Sequence, residues 1–172
     1  MKVILYMALT VNGMIAKEDG NSEWVSEEDT TSFVAMCQKT KAVIMGRHTY
    51  DVLSPDDLPL KEGLQIVMTN NKVLRTENQT VVFTNKEPKE VLSMLEKKGY
   101  QEACVIGGSQ TVSQFMKERL IDEVYFDIEP LLFGKGMPLF QDVDFEYNLQ
   151  LLDIKKLNEH TIQLHYKIVK DN

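Results

Sequence analysis

Two segments of the chain contain glycine at a point where a phosphorylated ligand could bind. Val43–Thr49 reads VIMGRHT and Val105–Thr111 reads VIGGSQT, so each joins an apolar run to a polar helix start through glycine. At such a turn, unpaired backbone N–H groups and the positive end of a helix can face an anion. A strand-to-helix turn also uses glycine for conformational reasons alone, so the repeat by itself leaves both interpretations open.

Arg47 favours the ligand interpretation. A cation at the start of a helix opposes the helix dipole, so a purely structural helix gains nothing from it. Arginine binds phosphate through two parallel hydrogen bonds, which makes Arg47, with His48 beside it, a candidate phosphate site. The alternative is a solvated surface pair.

Asp29 is the candidate acid. It follows Ser26-Glu27-Glu28, where Ser26 is a good N-cap and the acids suit the positive end of a helix. Its position three residues after Ser26 fits a capping box, and local spacing favours that structural role. In a cleft, the same carboxyl could hydrogen-bond an amino-heterocycle or pass a proton to a ring nitrogen.

Other reactive arrangements are absent from the sequence. No His, Cys, Asp and Glu residues have metal-site spacing, no Gly-x-Ser-x-Gly motif occurs, and neither Cys37 nor Cys104 has an adjacent histidine. Both cysteines sit among apolar neighbours, which predicts buried free thiols. Trp24, the single tryptophan, either anchors a lid or fills the edge of the core.

The elements that would position these residues alternate between strands and helices. Apolar runs predict strands over Val3–Thr10, Ala42–Met45, Gln65–Thr69, Val81–Thr84, Ala103–Ile106 and Glu123–Ile128. Capping and turn residues predict helices from Ser26 to about Gln38, from Pro88 to Gly99 and over Thr111–Leu120. Alternating polarity over Leu149–Leu157 and Thr161–Val169 predicts a hairpin. The pattern is that of an α/β sheet, mostly parallel, with an antiparallel C-terminal hairpin, in which strand ends face a common crevice.

Composition fits a single folded domain over residues 1–172. Of the 172 residues, 43% are hydrophobic and 26% charged, which excludes a disordered or collagen-like chain. The net charge of −7, without a Lys/Arg cluster, argues against nucleic acid or an anionic membrane as partner. No apolar run approaches the ~18 residues of a spanning helix, and Val3–Leu9 fits a buried strand better than a signal peptide. We expect a cytoplasmic protein.

Together these segments resemble the dihydrofolate reductase superfamily. VIMGRHTY (Val43–Tyr50) and IGGSQTVSQF (Ile106–Phe115) are similar to its two strand-and-helix cofactor segments. Trp24, Asp29 and Phe33 have its Trp–five–Asp–four–Phe spacing. The implied fold is a dihydrofolate reductase-like three-layer sandwich.

Two other segments are more similar to the reductase domain of the riboflavin-biosynthesis deaminase–reductase and its stand-alone relatives. They are NGMIAKEDGNSEWVSEED (Asn12–Asp29) and IDEVYFDIEPLLFGKGMPLF (Ile121–Phe140), the second being the more distinctive. No deaminase zinc motif accompanies them. The resemblance covers nearly the whole chain.

The resemblance implies NADPH as hydride donor and gives each candidate residue a role. The cofactor would contact Ala8, Ile15, Gly46, Arg47, His48, Thr49, Thr69, Asn70, Gly107, Gly108, Ser109 and Gln110. Trp24 would border the nicotinamide and share the catalytic site with Asp29, while Asp29, Phe33 and Asp127 would contact the substrate. A cis peptide bond between Gly107 and Gly108 is also implied.

Three positions depart from the folate reductases. Glu62-Gly63-Leu64 lacks their arginine for the glutamate tail of the substrate, and Asp127 replaces a threonine that partners the catalytic carboxylate. Both changes argue against dihydrofolate as the natural substrate, and the resemblance to the riboflavin-type domain implies a ribosylaminopyrimidine-like substrate instead. Gln110 replaces an arginine for the 2′-phosphate of the cofactor, which leaves Arg47 as the main candidate there. If Asp127 faces Asp29, like-charge repulsion would keep one carboxyl protonated near neutrality.

The expected function is an NADPH-dependent reductase that acts on a C=N or C=O group of a pyrimidine- or pterin-like substrate. It would be most like 5-amino-6-(5-phosphoribosylamino)uracil reductase of riboflavin biosynthesis. The alternatives are dihydrofolate reduction proper and a non-catalytic nucleotide-binding dimer. Riboflavin-type relatives are often homodimers, so the resemblance also implies a homodimer.

Overall fold

The computed structural model describes residues 1–53, 62–71 and 76–170. In chain order, the elements of this part of the protein are β1 (Lys2–Thr10), β2 (Met14–Ala16), α1 (Glu27–Thr40), β3 (Ala42–Gly46), α2 (Arg47–Val52), β4 (Leu64–Met68), β5 (Val81–Thr84), α3 (Pro88–Lys97), β6 (Glu102–Val105), α4 (Ser109–Lys117), β7 (Glu123–Glu129), β8 (Met137–Pro138), β9 (Asn148–Lys156) and β10 (Ile162–Val169). Among the described residues, no helix has the length and apolar character needed to cross a membrane.

The main sheet has eight strands in the order β5-β4-β3-β6-β1-β7-β10-β9. Neighbouring strands from β5 to β7 are parallel, whereas β10 runs antiparallel to both β7 and β9. The predicted α/β class, the mostly parallel sheet and the antiparallel hairpin are therefore confirmed. Because β6 lies between β3 and β1, the carboxyl ends of these three strands meet where the strand order reverses, which is where open α/β sheets bind ligands.

Helices cover both faces of the sheet, so the predicted three-layer sandwich is also confirmed. Along β3, Ala42 and Ile44 belong to one core, while Val43 and Met45 belong to the other. The first core is shared with α3 and α4, and the second with α1 and α2. Strands covered on both faces read as continuous apolar runs, which is why the sequence predicts them well.

The two cysteines lie in the second core. Cys37 of α1 and Cys104 of β6 are both free and fully buried. The prediction of buried free thiols is confirmed.

A second sheet, which the sequence did not predict, consists of β2 and β8. A Cβ atom on Gly136 would lie 2.6 Å from the carbonyl oxygen of Ala16, so glycine is required for the two segments to approach this closely. Strands of three and two residues are too short to show a period in the sequence. The Gly-Lys-Gly-Met-Pro segment thus supplies the β8 strand of this small sheet and the glycine that lets it approach β2.

The start of α1 agrees with the sequence in one respect and differs in another. Ser26 is the N-cap, and its hydroxyl accepts a hydrogen bond from the backbone N–H of Asp29 at 3.3 Å. The expected capping box between Ser26 and Asp29 is wrong, because the N–H of Ser26 donates to Glu129 of β7 instead. Glu129, which is distant in the sequence, accepts the hydrogen bond from the Ser26 N–H that a capping box would have given to Asp29. The Asp29 side chain is therefore available for another role.

Candidate active site

A cleft of about 2000 Å³ opens at the carboxyl ends of the parallel strands. Sites for small ligands usually measure roughly 300–1,000 Å³, so this cleft has room for a dinucleotide and a second ring. The predicted residues that line it are Ala8, Ile15, Asp29, Phe33, Gly46, Arg47, His48, Thr49, Thr69, Asn70, Gly107, Gly108, Ser109 and Gln110. Trp24 and Asp127 are the two predicted site residues outside that lining.

One end of the cleft is formed where β3 and β6 give way to helices. The N–H of Gly46 donates to the carbonyl of Gly107 at 2.7 Å, and a Cβ on Gly46 would lie 2.7 Å from Oγ1 of Thr111. The peptide bond between Gly107 and Gly108 is cis, as the resemblance implied. Helix α4 begins after Gly108 without a side-chain cap, and Ser109, Gln110 and Thr111 of its first turn line the cleft.

Arg47 lies at the same end of the cleft, half-buried. Its Nε donates to Oδ1 of Asp51 at 2.6 Å, and its guanidinium carbon lies 5.9 Å from the centre of the Phe83 ring. Within the described part of the chain, its terminal nitrogens have no hydrogen-bond partner. The side chain is therefore held in place while its phosphate-binding edge stays open.

Asp29 also lines the cleft. It is only 3% exposed, and no donor among the described residues reaches its Oδ2. Burial raises the pKa of this carboxyl, and the nearby negative charges of Asp127 and Glu129 raise it further. A buried acid with an unpaired oxygen beside a large cleft is unlike an ordinary helix cap, so the chemical interpretation of Asp29 is the stronger one.

Asp127 lies on the side of β7 that α1 covers, where Gln163 also donates to Ser32, three residues after Asp29 on that helix. Asp127 is fully buried on β7 and accepts hydrogen bonds from the hydroxyl of Tyr6 and, at 2.8 Å, from Nε2 of Gln163. Burial raises the pKa of Asp127, although the two donated hydrogen bonds act in the opposite direction. Both acids are buried, and their sharing of one low-dielectric site stays a prediction.

Strand register explains why these side chains meet. Asp127 pairs with Ala8 of β1 on one side and with Gln163 of β10 on the other. Residues paired across strands project to the same face, and that face is the one covered by α1, which carries Asp29. Three strands and one helix thus bring the cluster together.

Trp24 packs beside the cleft, between the lining residues Glu23 and Val25, and its predicted role at the nicotinamide stays a prediction. Its ring packs edge-on against Phe133, with 5.5 Å between ring centres, and its Nε1 is buried without a hydrogen-bond partner in the described residues. This contact joins the loop before α1 to the loop between β7 and β8. The indole stands beside the cleft wall rather than in it.

Tyr6 and Gln163 are members of the site that sequence reasoning missed. Tyr6 lines the cleft, and Gln163 also donates to Ser32 at 3.0 Å. The available signal for Tyr6 was a hydroxyl within an otherwise aliphatic strand, and for Gln163 it was an amide at an inward-facing position of β10. Neither signal shows which residue lies opposite, because both contacts join distant parts of the chain.

A comparison with models of known protein families shows to which family the chain belongs. The model of the RibD C-terminal domain matches residues 1–163. The chain belongs to this family. Among curated proteins, it is similar to the uncharacterized protein YwjB of Bacillus subtilis, with 33% identity over 96% of this chain and 97% of that protein.

Other RibD-related proteins extend the comparison. The RibD protein of Aquifex aeolicus is 23% identical over 80% of this chain, which matches 48% of that longer protein. A solved structure of a putative riboflavin biosynthesis protein from Shewanella sp. PV-4 has a TM-score of 0.84 and 25% identity, covering 99% of this chain and all of that one. The RibD C-terminal fold, of the dihydrofolate reductase-like class, therefore extends over the chain.

Proposed function

We propose that this RibD C-terminal domain protein is an NADPH-dependent reductase of a pyrimidine- or pterin-like ring, most like 5-amino-6-(5-phosphoribosylamino)uracil reductase. The observation that carries the proposal is the position of Asp29. Its buried, donor-free carboxyl lies in one continuous cleft with the uncapped start of α4 and the open edge of Arg47. A reductase of this kind needs an anion site for a dinucleotide and an acid beside the reacting ring.

The residues at the glycine end of the cleft fit the cofactor. Gly107, Gly108, Ser109 and Gln110 would hold the diphosphate, because α4 offers uncapped N–H groups there. Arg47 and Thr49 would hold the 2′-phosphate side, Thr69 and Asn70 the adenosine, and Ala8 and Ile15 the nicotinamide. When bound, NADPH supplies the hydride.

The other end of the cleft fits a flat heterocycle. Phe33 and Ile15 supply apolar contacts, while Asp29 orients polar atoms of the ring and donates a proton as the ring is reduced. Burial at this end excludes water, so a proton held by Asp29 is not exchanged freely during the reaction. Proximity and proton donation are the two contributions assigned to the protein.

The first experiment measures cofactor binding by quenching of the single tryptophan and by calorimetry. We expect saturable binding of NADPH, tighter than that of NADH. Arg47→Ala should weaken NADPH binding by about tenfold or more and leave NADH binding nearly unchanged, because only NADPH carries the third phosphate. Arg119→Ala is the matched control, since Arg119 stacks on Tyr147 and is not among the cleft-lining residues. Absence of NADPH binding would refute the proposal.

The second experiment measures NADPH oxidation with two substrates, 5-amino-6-(5-phosphoribosylamino)uracil and dihydrofolate. Turnover of the phosphoribosylaminouracil supports the riboflavin-type assignment. Turnover of dihydrofolate only would mean that the protein is a dihydrofolate reductase instead. NADPH binding without turnover of either substrate favours the non-catalytic alternative. Asp29→Asn should lower kcat by about a hundredfold or more while NADPH still binds.

A further inference from the structure

Three buried acids lie together behind the substrate end of the cleft, and their donors are unevenly distributed. Asp127 receives hydrogen bonds from Tyr6 and Gln163, and Glu129 receives them from Ser26 and from Thr161. Asp29 receives none at its Oδ2, although it is as deeply buried as the other two. A buried carboxylate without donors is costly, so the negative charge belongs on the two acids that have them.

Asp29 and Asp127 together favour holding one proton. Ionising both would place two like charges in the same buried region, where their repulsion is poorly screened. Asp127 is stabilised as the charged partner by Tyr6 and Gln163. The proton consequently resides on Asp29.

The other ionisable groups around the pair act in different ways. Glu129 on the same strand raises the pKa of both acids, and Lys155 of β9 lowers that of Asp127 only. Burial and the charge of Asp127 raise the pKa of Tyr6, so its hydroxyl remains a donor. Lys155 and the hydrogen bond from Tyr6 therefore favour ionised Asp127, whereas Glu129 disfavours ionisation of either acid.

We propose that Asp127 is a positioning residue that keeps Asp29 protonated at neutral pH, so that the cleft selects neutral amide-type heterocycles over amidinium-type cations. A protonated Asp29 offers a ligand one carbonyl oxygen as acceptor and one O–H as donor. A neutral ring N–H needs only that single acceptor, whereas an amidinium group pairs best with two charged oxygens in parallel. This inference rests on the proposed placement of the substrate ring at Asp29.

The first test needs neither cofactor nor substrate. Carboxyl carbon NMR of the ligand-free protein follows each aspartate through a pH titration, with Asp127→Asn and Asp29→Asn used for assignment and exposed Asp142 as internal reference. We expect Asp29 to remain protonated at neutral pH in the wild type. Its midpoint should fall by at least about one pH unit in Asp127→Asn, since the amide adds a donor and removes a charge.

Tyr6→Phe is the second variant, and it keeps the ring while removing a donor to Asp127. We expect the proton to move toward Asp127, so that the Asp29 midpoint falls and the Asp127 midpoint rises. A merely structural role for Tyr6 would not move the two midpoints in opposite directions. Ionisation of wild-type Asp29 together with the ordinary acids below pH 5, or unchanged midpoints in both variants, overturns the proposal.

Ligand preference is measured by calorimetry on the NADPH-loaded protein at neutral pH with two probes, 6-aminouracil and 2,4-diaminopyrimidine. The wild type should prefer the uracil, and Asp127→Asn should shift the affinity ratio toward the diaminopyrimidine by about tenfold, the equivalent of one pKa unit. An unchanged ratio, or binding of neither probe, overturns the ligand selection. Absence of NADPH binding would refute the proposed function instead. It would not affect the titration of the ligand-free protein, so the two failures can be told apart.

Discussion

The buried carboxylate of Glu129 on β7 accepts two hydrogen bonds from Ser26 at the start of α1, from its N–H at 3.0 Å and from its hydroxyl at 2.7 Å. Its other oxygen accepts a hydrogen bond from the hydroxyl of Thr161 at 2.8 Å. One side chain thus joins the helix that carries Asp29 to the strand that carries Asp127. The relative position of Asp29 and Asp127 depends on this connection.

Ser26→Ala should lower the free energy of unfolding by about 1–2 kcal/mol, because it removes the helix cap and one donor to a buried charge. Urea denaturation measures the change. Ser93→Ala is the control, since Ser93 is an exposed serine within α3, and it should change stability by less than about 0.5 kcal/mol. Equal effects of the two substitutions would contradict the role assigned to Ser26.

Asp29→Asn should make the protein more stable at neutral pH. Burial raises the pKa of Asp29 from 3.8 to about 8, so between these values the folded protein holds a proton that the unfolded chain has lost. The stability associated with that proton is present in full below about pH 3.8 and is lost as the pH rises toward about 8. Asparagine cannot ionise, so the variant should gain roughly 1 kcal/mol or more at neutral pH.

Urea denaturation of Asp29→Asn and the wild type at several pH values between 4 and 8 checks this pH dependence. The two proteins should converge at the acidic end and diverge as the pH rises. Asp142→Asn, at an exposed acid, should follow the wild type throughout. A difference between wild type and Asp29→Asn that is independent of pH would mean that Asp29 titrates normally.

Gly46→Ala should disturb the end of the cleft formed by the glycine turns. Its Cβ would lie 2.7 Å from Oγ1 of Thr111, which is buried and has little room to move. We expect a loss of about 1–3 kcal/mol in stability and weaker NADPH binding. Removing the clashing hydroxyl in a Gly46→Ala/Thr111→Ala double variant should restore part of both. Gly134→Ala is the control, because nothing lies within 4 Å of a Cβ there.

The expected homodimer remains a proposal, and we assign it to the edge strand β9. Every residue of β9 is exposed, and Leu149, Leu151 and Ile154 are 44%, 47% and 56% exposed. A second copy of this strand would cover both the apolar side chains and the unpaired edge. Sedimentation should show a dimer that Leu151→Lys/Ile154→Lys converts to a monomer. Leu132→Lys, at an exposed leucine elsewhere, should leave the dimer intact.

Much of the fold could be predicted because its signals are local. Helix α3 begins at Pro88 and is followed by Gly99 at a φ of +90°, both as the sequence predicts. Helix α4 runs over Ser109–Lys117 instead of the predicted 111–120, because helical geometry starts directly after Gly108 without a capping side chain. The predicted cleft residues follow strand ends, and a parallel sheet brings such ends together whatever the loops between them do.

The acid cluster could be predicted only in part. Asp29 and Asp127 are far apart in the sequence, and no local pattern predicts that they are neighbours. Only the resemblance to the folate reductases suggested it, because Asp127 stands where that family has a threonine that partners the catalytic carboxylate. Glu129 and Gln163 were missed because their partners, Ser26 and Tyr6, are more than 100 residues away along the chain. Local spacing instead favoured Asp29 as the partner of Ser26, a choice that tertiary contacts overrode.

The contribution of β10 to the acid cluster has a consequence for synthesis on the ribosome. Gln163 and Thr161 supply donors to Asp127 and Glu129, yet they are translated after every other member of the cluster. A nascent chain that has emerged as far as β7 already contains the glycine turns, but its two strand carboxylates still lack these donors. Translation order therefore makes the donors to the acid cluster available later than the glycine turns at the other part of the cleft.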